Sequence, residues 1–231
     1  MIARTSWCIP QVDQTRAGGL AFTSLTRVTS DATSAQTPSA TGAARARLLQ
    51  LISDLAVVRG RVTLSSGAEA DYYVDLRRVT LHHEAAPLVG EVLLDLLTEQ
   101  LPGGLEGVDA VGGLTMGADP VACALLHASS VRAAAGQGSP LDAFVVRKEA
   151  KAHGLQRRVE GPDVAGRRVV AVEDTSTTGG SVLTAVTALR EAGADVVAVA
   201  VILDRATGAK EVVEAQGLPY LTAYSVDELG L

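Results

Sequence analysis

The chain has 231 residues, 47% of them hydrophobic and only 3% aromatic, with a net charge of −6 and a pI near 5.2. This length suits one sizeable domain that buries its own core, and the acidic balance excludes a general nucleic-acid binder. No apolar run of about eighteen residues is present to span a membrane, and the two cysteines, Cys8 and Cys123, supply neither a disulfide framework nor metal-ligand spacing, which fits a cytoplasmic protein.

Residues 1–42 are dominated by Ser, Thr, Ala, Gln and Gly and lack apolar periodicity. They are expected to be a disordered extension without a signal-peptide core, preceding a domain over 43–231. Leu48, Leu51, Ile52, Leu55 and Val58 recur at helical spacing and predict an amphipathic helix over 43–58, closed by Gly60. The stretch 62–79 reads as two extended pieces around Ser65-Ser66-Gly67, with Tyr72, Val74 and Leu76 alternating against Tyr73, Asp75 and Arg77. A helix is expected over 84–100 and a strand over 108–111, running into the glycine-rich loop 112–119. Another helix follows over 121–131, with Cys123 expected to be a small core residue and His127 a structural one. His82-His83 has no ligand partner at metal spacing and reads as surface. Strands are expected over 143–146, 169–172 and 196–203, with helices over 182–191 and 207–215. Strands alternating with helices imply a mostly parallel sheet covered on both faces.

The most informative string is 169–181, VVAVEDTSTTGGS. Four apolar residues read as a buried parallel strand, and Glu173 and Asp174 fall at its carboxyl end, where open α/β sheets bind ligands. Thr175, Ser176, Thr177, Thr178, Gly179, Gly180 and Ser181 then lead into a helix. A helix N-terminus offers unpaired N–H groups and partial positive charge to a phosphate, and the hydroxyls add donors. Two neighbouring acids repel phosphate, so they suit sugar hydroxyls or a hydrated magnesium ion. An ordinary capped strand-to-helix turn would have a similar composition. No G-x-x-x-x-G-K-[ST] occurs, and no G-x-G-x-x-G follows a strand.

A second feature is Arg147-Lys148-Glu149-Ala150-Lys151-Ala152-His153-Gly154, continuing to Arg157 and Arg158. Five basic residues against one acid, without apolar periodicity, read as a cationic loop leaving a strand at the same sheet edge, or as a solvated surface loop. In the first case it is suited to a pyrophosphate leaving group.

The string 169–181 resembles the PRPP-binding signature of the type I phosphoribosyltransferases. R-K-x-x-K-x-H-G resembles the flexible catalytic loop of the orotate-using members of that family, and the likeness covers about residues 48–231. The resemblance implies the type I phosphoribosyltransferase fold, an α/β domain with a mostly parallel central sheet, helices on both faces and a small N-terminal hood. It implies transfer of a phosphoribosyl group from magnesium-bound PRPP to orotate in pyrimidine biosynthesis, by a homodimer whose loop 147–158 is shared between active sites, with neither nucleic acid nor membrane as partner. It assigns Arg147, Lys148, Lys151 and His153 to pyrophosphate and Glu173 to Ser181 to ribose 5-phosphate. Lys151, His153 and Asp174 become the candidate catalytic residues, and Thr177 and Arg205 contact orotate, Arg205 because Leu203-Asp204-Arg205 matches the family's L-D-R. An arginine fork facing a carboxylate is also sensible by itself, and a plain ion pair with Asp204 is the other reading. Two family lysines are replaced, by Ser65 and within Thr115-Met116. A transferase acting on a purine or uracil base would share the cradle but not the loop; a non-catalytic PRPP-sensing regulator would need a DNA-binding unit.

Overall fold

The computed structural model describes residues 40–63, 69–149 and 157–231. The first helix, α1 (Ala40–Leu51), runs on through a π-turn, Ile52–Ala56. Then β1 (Val57–Thr63) and β2 (Glu69–Val74) form an antiparallel pair, the N-terminal hood. Val58 and Gly60, expected to end the helix, instead lie in β1; the register shifts between Arg59 and Val62, and Gly60 has a φ of 121° that disfavours any other residue. A short α2 (Arg77–Thr80) leads to α3 (Ala85–Gln100).

The remainder alternates. β3 (Ala110–Leu114), α4 (Ala118–Ala134), β4 (Asp142–Val146), β5 (Val159–Glu160), β6 (Arg168–Ser176), α5 (Gly180–Glu191), β7 (Asp195–Asp204), α6 (Ala209–Glu214) and β8 (Tyr220–Ser225) follow in order. The six strands form one sheet in the order β5-β4-β3-β6-β7-β8, parallel except for β5. Each central strand feeds both faces. On β6, Val170 and Val172 join the core packed under α1, α3 and α4, whereas Val169 and Ala171 join the one under α5 and α6. All four are fully buried, which explains an unbroken apolar run where a half-exposed strand would alternate.

From β3 the chain moves to β4 on one side, and from β6 to β7 on the other. The gap between the carboxyl ends of β3 and β6 is therefore the switch point, where such sheets open a crevice.

Candidate active site

The acid pair stands at this switch point. Pairing of β6 with β7 continues to Ser176 opposite Asp204, so Glu173 and Asp174 belong to the strand and not to the loop after it. Strand backbone fixes both carboxylates. The Asp174 N–H donates to Glu173 Oε1 at 3.2 Å and the Thr175 N–H to Asp174 Oδ1 at 2.7 Å. A Cβ on Gly117 would come within 2.7 Å of both Glu173 Oε1 and Asp174 Oδ1, so a larger residue there would push the two carboxylates aside.

Glu173 is 6% exposed. Burial, then the neighbouring Asp174 charge, pushes its carboxyl up to about 8; Asp174 is also raised, chiefly by burial. Two adjacent acids in a dry site cannot both ionise cheaply, so the pair holds a proton more tightly than free carboxylates do. It then offers a donor as well as acceptors.

The turn after β6 leaves backbone donors open at a helix start. Gly179, at φ 77°, precedes α5, and no side chain caps that helix, so its first-turn N–H groups stay available. Thr175 Oγ1 is buried without a partner among the described residues, although the residue lines the cleft. Such a hydroxyl is open to a hydrogen bond from a ligand or a water.

One cleft of about 1440 Å³ gathers most of the expected residues: Arg147, Lys148, Glu173, Asp174, Thr175, Thr177, Ser181 and Arg205. Thr115 and Met116 line it too. Ser176 is buried in β6, while Thr178, Gly179 and Gly180 shape the turn without lining the cleft. Ser65, Lys151 and His153 lie outside the described residues. The cationic loop is closed at its base: the Arg147 N–H donates to the Arg158 carbonyl at 2.8 Å, and β5 pairs back on β4. The excursion thus leaves from and returns to the cleft. Arg205 is held at the opposite wall, its N–H bonded to the Ser176 carbonyl at 3.0 Å and its guanidinium 5.4 Å from the Tyr72 ring centroid.

Tyr73, Asp75 and Arg77 also line the cleft and were missing from the sequence-derived site. Their signal was the Asp-Leu-Arg step directly after an alternating strand. Cys123 corrects an expectation: it is exposed on α4, not in the core. That helix is apolar nearly all round, so periodicity does not select its inner face.

Comparisons with known proteins establish the family. A model of the phosphoribosyl transferase domain matches residues 106–216. The orotate phosphoribosyltransferase of Streptomyces coelicolor is 70% identical over 188 residues, covering 81% of this chain and 97% of that protein. The chain belongs to the orotate phosphoribosyltransferase family. Within the family, the Mycobacterium tuberculosis enzyme solved in complex with PRPP aligns with a TM-score of 0.67 and 50% identity, covering 81% of this chain and 99% of that one. The Aeropyrum pernix enzyme aligns at a TM-score of 0.61 and 30% identity, over 79% of this chain and 95% of that one. The fold is that of the type I phosphoribosyltransferases, with β1 and β2 as the hood. No helix among the described residues is long and apolar enough to cross a membrane.

Proposed function

We propose that this chain transfers the 5-phosphoribosyl group from PRPP to orotate, giving orotidine 5′-monophosphate and pyrophosphate, in cytoplasmic pyrimidine synthesis. The observation that carries the reading is the convergence, on one cleft, of a buried acid pair, an uncapped helix N-terminus and cations on separate walls. A sugar that carries both a phosphate and a pyrophosphate uses all three.

A ring nitrogen of orotate attacks the anomeric carbon as the bond to pyrophosphate breaks, through an oxocarbenium-like state, and its N–H proton passes to water or to the departing pyrophosphate, so no side-chain nucleophile is required. Binding and orientation supply the rate. The first turn of α5, with Thr175, Thr177, Thr178 and Ser181, holds the 5-phosphate. Glu173 and Asp174 take the ribose hydroxyls, and Arg205 forks onto the orotate carboxylate beside Thr177. Arg147, Lys148, Lys151 and His153 neutralise the departing pyrophosphate.

The acid pair fits a hydrated magnesium ion: neither carboxylate makes an ion pair among the described residues, and this metal usually takes one or two carboxylates plus substrate phosphates. Among those residues no cluster of three acid, His or Cys ligands exists, so the ion would arrive with the donor. When bound, it supplies charge neutralisation to pyrophosphate and ribose oxygens.

The partner in this reading is a second copy of the chain, whose 147–158 loop reaches the neighbouring cleft. An apolar groove of about 1060 Å³, lined by Leu81, Met116, Cys123 and Val131, meets the cleft at Arg77 and Met116. A copy seated there stands next to the cleft rim. In this reading the catalytic domain begins with α1 at Ala40, slightly earlier than the expected 43, and the residues before it are the extension.

The test is turnover with PRPP, Mg²⁺ and a panel of bases. The reading expects pyrophosphate release with orotate and none with uracil, adenine or hypoxanthine; release with a purine in place of orotate would overturn it.

A further inference from the structure

We propose that Arg77 binds the pyrophosphate of the donor, and that Asp75 is present to aim it. This inference rests on the PRPP reading given above. The end of β3 and the loop after it that lies beside the acid pair, Leu114, Thr115, Met116 and Gly117, carry no charge. A pyrophosphate bound along that loop, next to two carboxylates, needs a cation from elsewhere. Arg77 and Met116 are the two residues that line both the cleft and the adjoining apolar groove, so the guanidinium stands at the rim beside the uncharged loop. It also lies within electrostatic reach of Asp174.

The geometry is that of an oriented donor. Arg77 Nε donates to Asp75 Oδ1 at 2.7 Å and Nη2 to Asp75 Oδ2 at 3.1 Å, a two-point fork that fixes the guanidinium plane. Two of its five N–H groups are used in the fork. Those on Nη1 and the outer one on Nη2 remain, and the side chain is 46% exposed. A second contact fixes the backbone, since the Arg77 N–H also donates to Asp75 Oδ1 at 3.2 Å. The pairing explains why an acid lines a phosphate cleft: neutralised by Arg77, Asp75 orients without repelling.

A structural role for the pair, as the start of α2, predicts different behaviour, and titration of the full-length chain with Mg²⁺–pyrophosphate and with Mg²⁺–PRPP separates the two. Losing one charge-assisted contact weakens binding by roughly 10- to 100-fold. Arg77→Gln is expected to raise the Kd of Mg²⁺–pyrophosphate and the KM of PRPP by that factor while leaving the KM of orotate and the melting temperature in place. Arg77→Lys should recover part of the loss, because charge returns without the fork. Asp75→Asn, which keeps the cation but loosens its aim, should fall between wild type and Arg77→Gln. Wild-type pyrophosphate affinity in Arg77→Gln would overturn the proposal, as would a rise in both KM values together with a lower melting temperature. If the wild-type chain itself bound neither ligand, the PRPP reading would be the one to fall, and this inference with it.

Discussion

Glu173 makes the unliganded protein's stability depend on pH in a window where ordinary carboxylates are silent. Its carboxyl titrates near 4.5 in the unfolded chain and at about 8 in the fold. Because the native state holds the proton longer, this group's contribution is fully present below about pH 4.5 and is lost as pH rises to about 8. At about 1.36 kcal/mol per unit, the loss is on the order of 4 kcal/mol, with little solvent to screen so buried a group. For a domain of this size that corresponds to about 10 °C in melting temperature. Glu173→Gln removes the ionisation while keeping the shape and one donor. Melting curves without PRPP or Mg²⁺ should nearly coincide for the two proteins near pH 5, and the variant should melt markedly higher near pH 8.5. Asp75, Glu84 and Glu228 have lowered values, through Arg77, Arg47 and Arg45 respectively, so they weaken the fold only in acid and cancel in the comparison. Parallel wild-type and variant curves across this range would refute the buried, proton-sharing pair.

Other consequences do not depend on the titration of Glu173. Arg205→Ala should raise the KM of orotate by about tenfold or more and leave that of PRPP unchanged, since one fork to a carboxylate is removed; steady-state kinetics decide it. Gly90→Ala on α3 should destabilise the domain by about 1–3 kcal/mol, because the added Cβ meets the Ala124 carbonyl of α4, and denaturant titration measures this. Lys151→Ala and His153→Ala should each lower turnover by about 10²- to 10³-fold with the melting temperature retained. Mixing inactive Lys151→Ala with inactive Asp174→Asn should restore about a quarter of the sites if a two-fold dimer shares its loops, and no recovery would remove the shared-site part of the account.

The parallel core was legible because buried central strands leave unbroken Val and Ala runs, as at 169–172 and 196–203. The edges were not. In β8 the hydroxyls of Tyr220, Thr222, Tyr224 and Ser225 dilute the apolar pattern, although Tyr224 is almost fully buried and donates to the Arg45 carbonyl at 2.7 Å. In β5 two residues are too few to carry any period, and only pairing with β4 defines them. The acid pair was found by residue type, yet its membership of β6 depends on a rung to β7 that sequence does not display. Asp75 and Arg77 escaped because chemistry there comes from a fork between neighbours two apart, and the Asp-Leu-Arg step by itself does not mark a ligand site.

In the proposed reaction the cleft beside Glu173 and Asp174 joins orotate to the phosphoribosyl group. Labelled orotate incubated with PRPP, Mg²⁺ and the purified chain should appear in orotidine 5′-monophosphate in step with pyrophosphate release. The same label should stay in orotate with a folded Glu173→Gln/Asp174→Asn double variant. Label remaining in orotate with the wild-type chain, or wild-type turnover by the double variant, would contradict the account.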